Sequence, residues 1–264
     1  MNKKFGTIAI LGAPNAGKST LVNALVGEKV SIVTHKVQTT RMRLLGIAMH
    51  KNTQMVLIDT PGIFAAKKSM DRTLVGEAWA ALDDADVIVL MVDAARKTIS
   101  QETESILHRI REWEGPKLLV LNKVDQANKE NLLRFSAQLN DAADFQASFM
   151  ISALNGSGLP DVKDYLAVLM PEGDWVYDPD MPTTAPIAIA AAEITREKLF
   201  LACHQEIPYS TAVITDHWAE EDGRIVIHQS IILERDSQKG VVIGKGGAML
   251  KKIGSQARAE IIEM

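Results

Sequence analysis

The sequence predicts an α/β domain whose mostly parallel sheet carries helices on both faces, followed by a smaller α+β domain. In the first part of the chain, apolar runs of strand length, such as residues 87–92, alternate with amphipathic helical segments. Such runs are typical of parallel strands that are covered on both faces. A proline-rich stretch then breaks the pattern, and beyond it the order becomes helix, two strands and helix. We place the domains at 1–171 and 186–264, with an extended linker at 172–185.

Hydrophobic periodicity locates the elements of both domains. In the first domain, the predicted strands cover residues 7–11, 44–49, 54–58, 87–92, 117–121 and 149–151. Its predicted helices cover residues 20–26, 101–113, 131–139 and 160–169. In the second domain, we predict helices at 187–204 and 248–263 and strands at 210–215 and 224–233.

The composition is that of a soluble globular protein of ordinary charge. The 264 residues are 47% hydrophobic and carry a net charge of −4, so a nucleic-acid partner must be met by a local basic patch. The only cysteine, Cys203, excludes an intramolecular disulfide and fits a reducing compartment. Because we find neither a signal-peptide pattern nor an apolar run long enough to span a bilayer, we expect a cytoplasmic protein.

A glycine-rich loop, residues 12–19, carries the strongest phosphate-binding signal. It has the P-loop pattern, in which Gly17 follows Gly12 by five residues and is itself followed by Lys18 and Ser19. It joins a predicted strand to a predicted helix, whose N-terminal N–H groups and dipole attract phosphate. Lys18 would reach the β- and γ-phosphates, and the Ser19 hydroxyl would hold Mg²⁺. The predicted nucleotide contacts are Gly12, Ala13, Pro14, Asn15, Ala16, Gly17, Lys18, Ser19 and Thr20.

Two further motifs suit the metal ion and the γ-phosphate. The polar loop at 31–43 offers Thr40, with Thr39 as the alternative, to close over Mg²⁺. The predicted strand at 54–58 runs into Asp59, whose carboxylate would hold Mg²⁺ through water. The motif that begins there consists of Asp59, Thr60, Pro61 and Gly62, and we expect the Gly62 N–H to contact the γ-phosphate. The predicted metal ligands are Ser19, Thr40 and Asp59.

The motif Asn122-Lys123-Val124-Asp125 predicts recognition of guanine. The Asp125 carboxylate can accept hydrogen bonds from both N–H donors on the Watson–Crick edge of guanine, and adenine would leave it unpaired. An ATP-dependent enzyme is therefore disfavoured. We expect Asn122 to brace the loop and the Lys123 stem to cover the base. A second loop would complete the base site, with the Ala153 N–H donating to guanine O6. This loop consists of Ser152, Ala153 and Leu154.

Taken in order, the motifs between residues 12 and 154 resemble those of GTPases with the Ras-like fold, in particular the bacterial branch related to translation factors. The resemblance implies GTP hydrolysis with Lys18, Thr40 and Gly62 as the catalytic groups. The chain departs from this pattern at Ile63, at the position where Ras-type enzymes have a glutamine. An isoleucine cannot orient the attacking water by hydrogen bonding. Hydrolysis should therefore be slow. Asn15 matches the P-loop asparagine with which a resembling subgroup holds potassium.

The second domain carries the signature of an RNA-binding module. Its glycine loop, Gly244-Lys245-Gly246-Gly247, matches the GXXG loop with which KH domains clamp the backbone of about four nucleotides. Five basic and no acidic residues lie between 237 and 258, which makes a local positive stripe in an acidic protein. The predicted RNA contacts are Gly244, Lys245, Gly246, Gly247, Lys251 and Lys252.

The combination of these two domains resembles the Era family, bacterial GTPases with a C-terminal type II KH domain. The resemblance implies a monomer that binds the 3′ end of 16S ribosomal RNA, acts in assembly of the small ribosomal subunit and associates loosely with the inner membrane. In that family a further strand follows the last helix, whereas this sequence stops at Met264. An RNA-binding scaffold that binds GTP without hydrolysing it stays open as the alternative, because of Ile63.

We predict that Asp125→Asn shifts the nucleotide preference from GTP towards XTP, because an amide suits the xanthine edge better than that of guanine. The lost charged contact should weaken GTP binding by roughly 2–4 kcal/mol, as when one partner of a buried charge pair is removed. Titration of both nucleotides against the wild type and the variant measures the shift. An unchanged affinity for GTP would exclude Asp125 from base recognition.

Overall fold

The computed structural model describes residues 2–33, 44–60, 76, 79–203 and 211–264. The described residues form two compact units. The first unit contains those up to Ser31 and those from Leu44 to Thr184, and the second contains residues 32–33 and those from Ala185 onward. Within the described ranges, no helix is both long and apolar enough to cross a membrane.

The first unit alternates strands and helices as the periodicity predicts. Its strands are β1 (Lys4–Leu11), β2 (Leu44–His50), β3 (Thr53–Asp59), β4 (Val87–Asp93), β5 (Lys117–Asn122) and β6 (Ala147–Met150). Its helices are α1 (Lys18–Val26), α2 (Gln101–Ile110), α3 (Lys129–Ala142) and α4 (Leu159–Leu169). The predicted α/β class is confirmed, and the predicted element bounds differ from these mainly at their ends.

The six strands form one sheet in the order β2-β3-β1-β4-β5-β6. Only β2 runs antiparallel to its neighbour β3; the other pairs are parallel. The carboxyl ends of parallel strands meet at the same edge, where ligands of such sheets bind. This edge therefore collects the end of β1, which opens the glycine loop, together with Asp59, Asp93 and Asn122.

Helices cover both faces of the sheet. On one face, Ile8 and Ile10 of β1 belong to a core cluster that also holds the buried Leu21 of α1 and Leu166 of α4. On the other face, Leu11 belongs to a cluster with buried residues of α2 and α3. Alternate residues of β1 thus pack on opposite faces, because side chains of a strand alternate. Burial on both sides explains why the central strands are apolar throughout.

The proline-rich stretch is held along the first unit. The side chain of Gln54 on β3, fully buried, accepts a hydrogen bond from the Tyr177 N–H (3.0 Å) and donates to the Tyr177 carbonyl (2.9 Å). Further along, the Thr183 hydroxyl donates to the Leu45 carbonyl of β2 (2.7 Å). These bonds saturate polar groups that an extended, proline-rich segment cannot satisfy internally. Residues up to Thr184 consequently group with the first unit.

The second unit has the order helix, hairpin, helix, helix. It consists of α5 (Ile187–Ala202), β7 (Thr211–Glu221), β8 (Arg224–Leu233), α6 (Lys239–Ile243) and α7 (Ala248–Glu263). The strand β7 extends well beyond the predicted 210–215, because it pairs with β8 along its whole length apart from an irregularity at Thr215–His217. The short helix α6 was not predicted. It is too brief for hydrophobic periodicity to reveal.

A small core and one ion cluster hold this unit together. Leu199 and Cys203 are buried with Val242 and Ile253.

Beside that core, the Lys198 ammonium pairs with the carboxylates of Glu197 (2.9 Å) and Glu260, so α5 and α7 are joined by charge as well as by packing. The other oxygen of Glu197 accepts the Val33 N–H (2.9 Å). Glu197 is 3% exposed, so these partners compensate the cost of burying its charge.

Candidate functional site

The glycine loop has the backbone geometry that its motif predicts. It follows β1 and leads into α1, whose N-cap, Gly17, has a φ of 104°. A Cβ atom at this position would lie 2.3 Å from Nδ2 of Asn122, so only glycine fits. Asn15 is also left-handed, with a φ of 64°, a conformation that asparagine tolerates better than most residues. The loop thus brings its backbone close to the α1 N-terminus, where N–H groups without helical partners can bind phosphate.

Lys18 is buried in the loop and held in place by backbone oxygens. Its ammonium donates to the carbonyls of Gly12 (3.1 Å) and Ala13 (3.3 Å), and the residue is 6% exposed. Burial lowers the pKa of Lys18 to about 8, and the nearby negative charge of Asp59 opposes this shift. Among the described residues, this buried ammonium donates to neutral carbonyls, and it is poised to exchange them for anionic phosphate oxygens.

The residues around Lys18 suit a magnesium ion bound together with phosphates. Asp59 ends β3 fully buried, and Ser19 lies at the start of α1. Among the described residues, no three histidine, cysteine or acidic side chains gather into a metal cluster. Mg²⁺ in phosphate-transfer sites is held by one or two protein oxygens, with waters and substrate phosphates completing its shell, so this donor set fits. Ser19 and Asp59 would hold it.

The side chain of Thr60 is bonded to the neighbouring strand. Its hydroxyl donates to the Ile10 carbonyl (2.6 Å), and the residue is buried. The bond ties the chain after β3 to the end of β1, immediately before the glycine loop. A buried hydroxyl must satisfy its donor, and the neighbouring strand supplies the acceptor. The Thr60 side chain therefore fixes the end of β1 that leads into the glycine loop.

Asn122 connects the phosphate loop to the base loops, which explains the bracing that its motif predicts. At 3% exposure, its side-chain amide donates to the Ala16 carbonyl (2.8 Å) and accepts the Ala153 N–H (2.9 Å). The Ala153 N–H was expected to donate to guanine O6. In this structure it donates to the Asn122 side-chain oxygen, because that buried oxygen needs a donor.

Asp125 and its neighbours are arranged for recognition of a base. The hydroxyl of Ser152 is the main cause that lowers the pKa of Asp125, with the Lys123 charge as a smaller contribution, so the carboxylate stays ionised. Ser152 is 1% exposed, whereas Leu154 is 81% exposed. Asp125 is therefore an exposed, ionised acceptor, and Leu154 is an exposed apolar residue of the second loop.

Sequence reasoning missed Asp93, the last residue of β4. Its carboxylate lies 2.7 Å from the Lys123 ammonium and 3.9 Å from Nε of Arg96. The signal was the one that identified Asp59, a carboxylate at the end of a buried parallel strand. Asp93 lies outside the motifs at 12–19, 59–62, 122–125 and 152–154, so motif spacing does not select it.

Several predicted residues lie outside the described ranges. These include the switch threonine Thr40 and its alternative Thr39, and the residues that follow Thr60 in its motif. The latter are Pro61, Gly62 and Ile63.

The second unit presents its glycine loop between α6 and α7. Gly244, Gly246 and Gly247 all have positive φ values, of 72°, 60° and 79°. A Cβ on Gly244 would lie 2.7 Å from Cβ of Met249, whereas nothing approaches the other two within 4 Å. Gly244 is thus required by packing, and Gly246 and Gly247 leave the loop open to a close ligand. The side chains of Lys245, Lys251 and Lys252 are exposed around it.

We predict that Gly17→Ala abolishes tight nucleotide binding, with at least a roughly 100-fold loss in affinity, because displacing the loop by about 1 Å misaligns its donors. Gly27→Ala is the matched control. Gly27 also has a left-handed φ, 95°, but nothing lies within 4 Å of its Cβ position. Gly27→Ala should therefore lower the free energy of unfolding by about 1–2 kcal/mol, through backbone strain alone. Titration with a fluorescent GDP and thermal melting separate the two; equal affinities would contradict the steric argument.

Comparisons with known proteins agree with this geometry. Residues 7–123 match the family described as 50S ribosome-binding GTPase, and residues 206–264 match the KH domain. GTPase Era of Rhizobium meliloti (strain 1021) is 53% identical over 99% of this chain and 83% of that protein. GTPase Era of Sinorhizobium medicae (strain WSM419) is 52% identical over 99% of this chain and 84% of its own length.

A similar solved structure is that of Era in complex with MgGDPNP and nucleotides 1506–1542 of 16S ribosomal RNA. Its TM-score is 0.93 at 37% identity, and the match covers 98% of this chain and 88% of that one. Aquifex aeolicus Era, in a variant bound to GDP·AlF4⁻, gives a TM-score of 0.92 at 37% identity over the same shares. With relatives this similar along nearly its whole length, the chain belongs to the Era family of GTPases.

Proposed function

We propose that this protein is a GTP-hydrolysing switch that binds the 3′ region of 16S ribosomal RNA through its second domain and acts in assembly of the small ribosomal subunit. In this proposal, residues 1–171 bind the nucleotide, 186–264 bind the RNA and 172–185 connect them. The observation that supports it is the joint presence of a phosphate loop linked by Asn122 to the guanine motif and of an open glycine loop flanked by exposed lysines. The RNA bound to the similar Era structure supports the choice of ligand.

In the proposed hydrolysis, water attacks the γ-phosphoryl group, and the protein positions the phosphates and absorbs charge. The Lys18 ammonium exchanges its carbonyl partners for phosphate oxygens, and the charge gained there compensates its burial. Ser19, Asp59 and Thr40 would hold Mg²⁺, which would supply Lewis-acid stabilisation of the phosphates. Thr40 and Gly62 sense the γ-phosphate, and Asp125 selects guanine.

The second domain mainly contacts the backbone phosphates of the RNA. The N–H groups around Gly246 and Gly247 can approach phosphates closely because no side chain intervenes. Lys245, Lys251 and Lys252 supply positive charge on the same loop and helix. We further propose a monomeric cytoplasmic protein, with peripheral association with the inner membrane as the resemblance implies.

A salt series tests the RNA assignment. Lys245→Ala should weaken binding to a fluorescent RNA matching the 3′ end of 16S ribosomal RNA, and should lower the slope of log affinity against log salt by roughly 0.7 per lost phosphate contact. Lys239→Ala is the comparison within the same segment. The Lys239 ammonium already pairs with Asp236 (2.8 Å), so its removal should change the slope less. Fluorescence anisotropy at several salt concentrations gives both slopes. Equal slopes for wild type and Lys245→Ala would remove the glycine loop from the RNA site.

Besides Mg²⁺, we propose that a potassium ion binds near Asn15. Because Ile63 cannot orient water, we expect hydrolysis to depend on another group or ion. Replacing KCl by NaCl should slow GTP hydrolysis by roughly tenfold or more, as the loss of one transition-state charge contact does elsewhere. Asn15→Ala should erase the difference between the two salts, whereas Asn140→Ala, an exposed asparagine of α3, should preserve it. Phosphate release measured in both salts decides the matter; equal wild-type rates would exclude Asn15 from hydrolysis.

A further inference from the structure

Asp93 occupies a fixed position between the two halves of the nucleotide site. It ends β4 directly beside Asn122 in the sheet register. One carboxylate oxygen accepts the Ala95 N–H (3.0 Å), and the other lies 2.7 Å from the Lys123 ammonium. The side chain is only 12% exposed. With both oxygens engaged, the carboxylate has little freedom to rotate, so it is a rigid anchor for the lysine.

Lys123 needs such an anchor if its stem is to cover the base. Its backbone is left-handed, with a φ of 64°, immediately after the end of β5. A lysine stem has many rotamers, and ordering them only when the ligand arrives would reduce binding affinity. The side chain is 28% exposed, and its ammonium pairs with Asp93. This pair restricts the rotamers of the stem.

The same carboxylate is also linked to the phosphate loop. Nε of Arg96 lies 3.9 Å from Asp93, and Nη2 of Arg96 lies 3.5 Å from the Pro14 carbonyl. Both contacts are long, so the direct pair with Lys123 is the stronger one. Asp93 thus stands between the side chain that covers the base and the loop that holds the phosphates.

We propose that Asp93 is a positioning residue for guanine-nucleotide binding: it holds the Lys123 stem over the base and so slows nucleotide release. The proposal rests on the assignment of Lys123 to the base. Because base and ribose are common to GTP and GDP, the effect is the same for both nucleotides. It acts on binding, and the hydrolysis of bound GTP is independent of it.

The test measures dissociation rates of fluorescent GDP and of a fluorescent, non-hydrolysable GTP analogue by stopped flow. Asp93→Asn keeps the shape and removes the charge. It should raise both dissociation rates roughly tenfold. This expectation lies between the small loss of binding energy on removing an exposed ion pair and the large loss on breaking a buried one, because the pair is partly buried. Single-turnover hydrolysis of bound GTP should stay within about twofold of wild type, because no transition-state contact is lost. Asp93→Glu, which restores the charge, should recover most of the slow release.

Asp86→Asn is the matched control. Asp86 lies just before the opposite end of β4 and accepts the Thr7 N–H (2.7 Å), so the same change of charge is made far from the base loops. Its dissociation rates should equal those of wild type. A shared fall in melting temperature without faster release in either variant would show a structural role only, and would overturn the proposal.

A double-mutant cycle tests whether Asp93 acts through Lys123. Asp93→Asn combined with Lys123→Met should release nucleotide no faster than Lys123→Met alone, because the anchored group is already gone. Additive effects would overturn the proposal. If Lys123→Met releases nucleotide fast while Asp93→Asn does not, Asp93 is excluded and Lys123 keeps its assignment. If Lys123→Met leaves release unchanged, the assignment of Lys123 to the base is wrong and the Asp93 proposal falls with it.

Discussion

The nucleotide site depends on two hydrogen bonds that the side-chain amide of Asn122 makes. The amide has a donor and an acceptor at fixed separation, and it uses them on the carbonyl of Ala16 in the phosphate loop and on the N–H of Ala153 in the base loop. Both bonds are buried, so leaving either partner unsatisfied would be costly. The distance between phosphate recognition and base recognition is therefore set by one rigid group. Gly17 completes this arrangement, since any larger residue would displace the same amide.

The sheet edge determines which groups can meet the nucleotide. Asp59, Asp93 and Asn122 each end a parallel strand, and register places the last two side by side. Asp59 is fully buried and the Asp93 side chain is 12% exposed, so this edge of the sheet concentrates buried charge. The lowered pKa of Lys18 reflects the cost of burying its charge. A polyanionic ligand reverses that cost, which is a physical reason for the site to bind phosphates tightly.

In the second unit, a hydrophobic core and ion pairs support the glycine loop. In its core, Leu199 and Cys203 are buried with Val242 and Ile253, and the Lys198 ammonium joins α5 to α7 through Glu197 and Glu260. The glycine loop between α6 and α7 carries the left-handed residues that its sequence requires. Such a unit can present backbone N–H groups and lysines to a phosphate backbone without a deep pocket.

The sequence by itself determined the order of elements, the P-loop, the guanine motif and the GXXG loop, because each depends on local spacing and local backbone conformation. Tertiary structure alone decided the contacts that join them. Neither the bond from Thr60 to the Ile10 carbonyl nor the engagement of the Ala153 N–H by Asn122 follows from any spacing. Asp93 likewise gained a partner only because strand register brings β4 beside β5. Hydrophobic patterns reveal which face of an element is buried, whereas the partner of a buried polar group is chosen by packing among distant segments.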